Sequence, residues 1–223
     1  MTTNFASPHD ALARLRAIRV VPVIVIDDPD DAVPLARALA DGGLPCAEIT
    51  FRTPGAAEAL KRVTDEVPSV FVGAGTVLTP KQAEKARAAG AQFMVAPGFN
   101  PRVVDYCLGE GIPVYPGICT PTELEAALEK GLTAVKFFPA EPAGGLAYLK
   151  AMAAPYGDVD FMPTGGINAT NVASYLGFKR VVACGGSWMA PNDWIAAKQF
   201  DRIRDETRRA ADAAHGRRPT VSV

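Results

Sequence analysis

Residues 81–98 read KQAEKARAAGAQFMVAPG, and this stretch decides the fold. Its first half is alanine-rich with apolar residues at helical spacing. Gly90 stands where that helix must end, in a left-handed position that costs glycine nothing. QFMVAP, from Gln92, then reads as a short buried strand closed by Pro97 and Gly98. The same helix–glycine–strand unit recurs on both sides.

Upstream lie VVPVIVI (from Val20), CAEITF (from Cys46) and VFVGAGTV (from Val70). Downstream lie IPVYPGIC (from Ile112), TAVKFFP (from Thr133), VDFMPTGG (from Val159) and RVVACGG (from Arg180). Amphipathic stretches such as DAVPLARALADGG and TELEAALEKG separate them, and Gly42, Gly90, Gly111, Gly131 and Gly177 read as left-handed helix ends. Buried strands alternating with helices need crossover connections, which makes the sheet parallel and the class α/β. Eight such units in 223 residues predict a (β/α)8 TIM barrel, one domain over residues 1–215. An open doubly wound sheet would show a glycine-rich turn after its first strand, but Asp27-Asp28-Pro29 follows Ile26. Ser7 to Arg19 reads as an extra N-terminal helix plugging the barrel bottom. The tail from Gly216, GRRPTVSV, lacks periodicity and is expected to be disordered.

Composition narrows the function. A formal net charge of −1 gives no electrostatic footprint for nucleic acid or an anionic membrane surface. No apolar run approaches the roughly 20 residues of a membrane helix, and MTTNFASPHD does not read as a secretory signal. The four cysteines are scattered without a CxxC pair, which predicts a reduced, cytoplasmic protein. The two histidines, His9 and His215, lie outside the apolar periodic body. That removes a histidine triad and a multi-histidine metal site, so proton chemistry must rest on Glu, Asp, Lys, Tyr or Cys.

Barrel enzymes carry their chemistry at the C-terminal strand ends, so polar residues inside strand runs are the ones to weigh. Lys136 sits in the middle of TAVKFFP. A dry pocket favours its neutral amine, a nucleophile for carbonyl carbon; the structural alternative is a snorkelling or merely paired lysine. In CAEITFRTP, strand alternation puts Glu48, Thr50 and Arg52 on one face, toward the barrel axis. A carboxylate near an amine can shuttle protons, and an arginine above it can grip a carboxylate or phosphate. A structural ion pair is the alternative here too. Gly73 and Gly75 allow close backbone approach, and Thr76 offers a hydroxyl. Gly165-Gly166 and Gly185-Gly186-Ser187 end the seventh and eighth runs, where barrels commonly hold a phosphate on backbone N–H groups. Pro97 and Gly98, like Pro116 and Gly117, read as walls or turns.

VPVIVI, EITFRT, VGAGTVL, PGI, KFFPAE, PTGGI and GGSW, in order from Val21 to Trp188, together resemble the 2-keto-3-deoxy-6-phosphogluconate aldolase family, which includes 4-hydroxy-2-oxoglutarate aldolases. The resemblance covers nearly the whole chain. It implies Lys136 as the Schiff-base lysine and Glu48 as proton donor and acceptor. It implies Arg52 and Thr76 as holders of the pyruvate carboxylate, and Gly165, Gly166, Gly186 and Ser187 as the phosphate loops. Pro97 and Phe138 are implied as pocket walls. It also implies a homotrimer, a phosphorylated 2-keto acid and pyruvate as ligands, and no metal or organic cofactor. Ala96 and Cys119 stand where members often carry serine. A galactonate-epimer or 4-hydroxy-2-oxoglutarate aldolase would keep the same lysine and glutamate. A metal-dependent epimerase would need ligands the chain lacks, and a non-catalytic phosphosugar-binding barrel would have no use for a buried lysine beside a glutamate.

Overall fold

The computed structural model of the chain describes residues 7–216. Nine short parallel strands form the frame: β1 (Val20–Ile24), β2 (Cys46–Thr50), β3 (Phe71–Gly75), β4 (Met94–Val95), β5 (Val114–Tyr115), β6 (Gly117–Ile118), β7 (Ala134–Phe137), β8 (Asp160–Pro163) and β9 (Cys184–Gly186). They run β5-β4-β3-β2-β1-β9 in one sheet and β6-β7-β8 in the other. Two features close these into one barrel of eight staves. β5 and β6 are halves of a single stave, split at Pro116, which has no N–H to give a ladder. Its carbonyl still accepts from the Lys136 N–H at 2.9 Å. The β8–β9 seam is joined by parallel bridges at Phe161–Val181 and Thr164–Gly185. The expected TIM barrel is thus the observed fold.

Helices pack outside the staves, with one apolar core between. Leu39, Leu60, Val135 and Phe137 belong to it, all with no exposed surface. A second cluster lies inside the barrel and explains the plug. Helix α1 (Pro8–Ile18) is started by the Ser7 hydroxyl, which accepts from the Asp10 N–H, and ended by Arg19 in a left-handed conformation. It inserts Ala11 and Leu15, both fully buried, among Val21, Phe71, Phe93, Tyr115 and Met162. Burying Leu15 contributes about 1.5–3 kcal/mol. Arg14 lies 4.2 Å over the Phe71 ring, and Phe71 and Phe93 are 4.8 Å apart between centroids. Gly73 makes room for that aromatic floor, because a Cβ there would stand 2.4 Å from the Phe93 ring.

Two helix ends differ from the sequence expectation. Gly90, Gly111 and Gly131 are left-handed, but Gly42 and Gly177 have φ of −75° and −72°. After helix α2 (Ala32–Asp41) the left-handed residue is Gly43. Gly42 is glycine for another reason: a Cβ would lie 2.6 Å from Thr207 on the helix Phe200–Ala214, which packs across it. The expected disordered tail beyond Gly216 falls outside the described residues.

Candidate active site

Lys136 projects inward from β7, whose register sets it beside Gly117 on one flank and Met162 on the other. Val135 and Phe137, its neighbours in sequence, point out into the helix-side core. Glu48 comes from the opposite part of the barrel, on β2 between Val23 and Gly73. The two side chains meet: Nζ lies 3.2 Å from Oε1, with side-chain exposures of only 6% and 4%. Such a pair, placed 88 positions apart in sequence, is the centre of the site.

The walls are built for it. A Cβ on Gly75 would stand 2.3 Å from Glu48 Oε1, so glycine there gives the carboxylate its place. The Phe138 ring lies 5.3 Å from Nζ, with its face available to a cation on that nitrogen. Pro97, half-buried after β4, brings its carbonyl oxygen so close to β6 that a Cβ on Gly117 would lie 2.1 Å away. Below the pair, a small void is bounded by Leu15, Phe93 and Met162, so the floor is apolar and closed by the plug helix.

Thr76 follows β3 and carries φ of +55°, rare for a β-branched residue. Holding it there costs about 1–3 kcal/mol, a strain that characteristically gathers where geometry serves a ligand. Arg52 is placed differently from the strand reading. β2 ends at Thr50, whose hydroxyl donates to the Ile24 carbonyl at 2.8 Å, and the chain turns at once. Arg52 is therefore exposed in the turn beyond the strand, with no ion-pair partner among the described residues. It stands at the rim above Glu48, not on the strand face.

The diglycine loops complete the mouth. Gly165 and Gly166 are both left-handed, with φ of +98° and +81°. Gly186 is buried against Trp188, whose ring would meet a Cβ at 2.1 Å, and Ser187 is exposed beside it. Gly185 serves a different need: a Cβ there would lie 2.4 Å from Thr164 Oγ1. Thr164 is a residue the sequence reading passed over. It is buried, and it lines the void with Lys136 and Glu48. The alternation that singles out Glu48 and Thr50 could have found it, since Met162 and Thr164 share the inward face of the β8 stave.

The cysteines divide sharply. Cys46, Cys107 and Cys184 are buried, and burial pushes the thiols of Cys107 and Cys184 up to about 12 and that of Cys46 higher still. Cys119 is half-exposed at the mouth, its N–H donating to Glu123 at 2.7 Å. We expect one fast-reacting thiol per native chain with a neutral-pH aromatic disulfide reagent, and the other three only on unfolding. Two or more fast thiols, or none, would contradict this placement. Substrate-analogue protection of that thiol would map Cys119 to the mouth.

A family model described as KDPG and KHG aldolase matches residues 12–205. The chain is 56% identical over 189 residues to the 2-dehydro-3-deoxy-phosphogluconate aldolase of Treponema pallidum, covering 85% of this chain and 90% of that protein. It is 44% identical to the enzyme of the same name from Haemophilus influenzae, over 90% and 95% of the two chains. A crystal structure of the Legionella pneumophila KDPG aldolase, with pyruvate captured at low pH as a covalent carbinolamine intermediate, superposes with a TM-score of 0.86 at 40% identity, covering 89% of this chain and 96% of that one. On the match over residues 12–205 and these identities, the chain belongs to the KDPG and KHG aldolase family.

Proposed function

We propose that this protein is a class I aldolase that cleaves 2-keto-3-deoxy-6-phosphogluconate, reversibly, to pyruvate and glyceraldehyde 3-phosphate. The observation that carries the reading is the buried Lys136–Glu48 contact of 3.2 Å at the centre of the barrel. A purely structural pair so deep would be neutral or unfavourable against well-packed apolar residues, which leaves chemistry as its use.

The steps follow from reach. Nζ must shed a proton before it attacks the C2 ketone, and Glu48 Oε1 is the acceptor in contact with it. Glu48 returns a proton to the carbinolamine hydroxyl, which leaves as water and gives an iminium. Glu48 then takes the C4 hydroxyl proton. The C3–C4 bond electrons move into the iminium, the aldehyde departs, and a pyruvate enamine remains on Lys136. Protonation at C3 and hydrolysis release pyruvate and free the lysine. The Phe138 face stabilises the cationic nitrogen, while the apolar floor keeps water below the site scarce.

Arg52 and Thr76 are assigned the substrate carboxylate, at the rim on the Glu48 side. Gly165, Gly166, Gly186 and Ser187 are assigned the phosphate, and Pro97 and Phe138 the walls between. Holding both ends of the substrate fixes the bond to be cut over the lysine. Every step runs through Lys136 and Glu48, so the reading requires no metal or cofactor; among the described residues no His, Cys, Asp or Glu cluster is arranged to hold a metal. No described helix is long and apolar enough to cross a membrane. The homotrimer and the cytoplasmic setting that sequence and resemblance imply remain part of this proposal.

The test compares turnover of 2-keto-3-deoxy-6-phosphogluconate with that of its unphosphorylated counterpart and of 4-hydroxy-2-oxoglutarate. The phosphorylated substrate is expected to win on kcat/KM. Ser187→Ala should cost it roughly ten- to a hundredfold, the value of one charge-assisted hydrogen bond, and leave the others nearly unchanged. An equal loss for all three would remove the phosphate from the Ser187 loop.

A further inference from the structure

Glu141, the last residue of KFFPAE, has no part in the chemistry above, yet the structure ties it twice to the Gly165–Gly166 loop and once to the helix that follows it. Its main-chain N–H donates to the Gly165 carbonyl at 3.0 Å, just after Ala140 donates to the Thr164 carbonyl at 2.8 Å. Its side-chain stem occupies the space beside Gly166, where a Cβ would lie 2.6 Å from Glu141 Cβ. Its carboxylate accepts a hydrogen bond from the hydroxyl of Tyr175. Tyr175 is 2% exposed, on the short helix Val172–Leu176 that follows the loop. Burial, reinforced by that carboxylate, pushes its phenol well above the usual range, so the hydroxyl stays protonated and remains the donor.

A trans peptide is planar, so its C=O and the next N–H point in opposite directions. Holding the Gly165 carbonyl on Glu141 therefore turns the Gly166 N–H away from the β7 side. The Gly166 carbonyl is likewise held, by Asn171 Nδ2 at 3.0 Å, which turns the Ile167 N–H the opposite way. The carboxylate of Glu141 is exposed at the edge of this loop. Unrestrained, it would be a negative charge free to approach a bound dianion.

We propose that Glu141, braced by Tyr175, is a positioning residue for the phosphoryl end of the substrate: with its carboxylate anchored, its stem holds its own main chain, and so the N–H on the Gly165 carbonyl, in place, and its charge stays tied to the protein. The proposal rests on the phosphate reading of the Gly165–Gly166 loop. It gives the pair a role in affinity for the phosphorylated substrate and none in bond cleavage.

Steady-state kinetics on Tyr175→Phe, Glu141→Ala and Glu141→Gln test it, each with phosphorylated and unphosphorylated substrate, alongside borohydride trapping of pyruvate. Tyr175→Phe and Glu141→Ala are expected to raise KM for the phosphorylated keto acid roughly tenfold, with kcat within about twofold. KM for the unphosphorylated substrate and the yield of trapped pyruvate should not change. Glu141→Gln, which keeps the stem and an acceptor for the tyrosine hydroxyl, should stay within about twofold of the native enzyme. An unchanged KM, an equal rise for both substrates, or loss of pyruvate trapping would overturn the proposal. A native enzyme that shows no preference for the phosphorylated substrate would overturn the phosphate reading itself, and the proposal with it.

Discussion

Borohydride added to the protein with pyruvate should fix a three-carbon adduct on the peptide containing Lys136 and nowhere else. The amine is 6% exposed, faces the void inside the barrel, and lies 3.2 Å from the Glu48 carboxylate. Other lysines, such as Lys61 at 56% exposure, stand in water, where the protonated amine is a poor nucleophile. Lys136→Met should lower turnover by roughly ten-thousand-fold or more, since no other group can form the electron sink. The same change should destabilise the fold by about 3–5 kcal/mol, because it leaves the Glu48 carboxylate buried without a partner. A second change, Glu48→Leu in the Lys136→Met background, should restore most of that stability while restoring no activity. An unmodified Lys136 peptide, or adduct spread over surface lysines, would end the Schiff-base reading. Stability that fails to recover in the double variant would show that the pair is a structural requirement as well.

Glu48→Gln should separate the proposed proton shuttle from the proposed nucleophile. Glutamine preserves the volume, the place above Gly75 and an oxygen acceptor for Nζ, but it cannot take a proton. Turnover should fall by about a hundred- to ten-thousand-fold, the span of general acid–base catalysis by one positioned group. Pyruvate trapping on Lys136 should survive, slower than in the native enzyme, because iminium formation can borrow protons from water. A variant that turns over within threefold of the native rate would assign the proton work elsewhere, with Thr164 and Tyr115 the first hydroxyls to examine inside the barrel.

Much of this site is legible in the chain because a charge within an apolar strand has few stable explanations. Lys136 and Glu48 both stand out for that reason, and period-two alternation correctly turns each inward. The barrel was legible from the spacing of its eight apolar runs. What failed to show was set by contacts between distant segments. Arg52 reads as a strand residue until the chain turns after Thr50; Pro54-Gly55 announces a turn nearby but not that it begins so early. Gly42 looks like a helix cap, yet it is glycine because the helix Phe200–Ala214 lies on it. Pro116 splits the fifth stave, and only its proline hints at this. Thr164 escaped notice because a hydroxyl costs little in an apolar run and so draws no attention. Glu141 was visible only as part of a motif, since its role depends on a tyrosine and a glycine loop brought to it by folding.

The seam of the barrel has a consequence for the order of events in synthesis. Val20, Val21 and Pro22 of β1 find their outer partners in Cys184, Gly185 and Gly186 of β9. The ring therefore has two raw edges until nearly the whole chain has left the ribosome, and contacts of such long span fold slowly. Before that moment Lys136 and Glu48 have no closed interior around them. On the proposed chemistry, reactivity toward pyruvate is expected to arrive with the last stave, and the adduct then doubles as a chemical timestamp for ring closure.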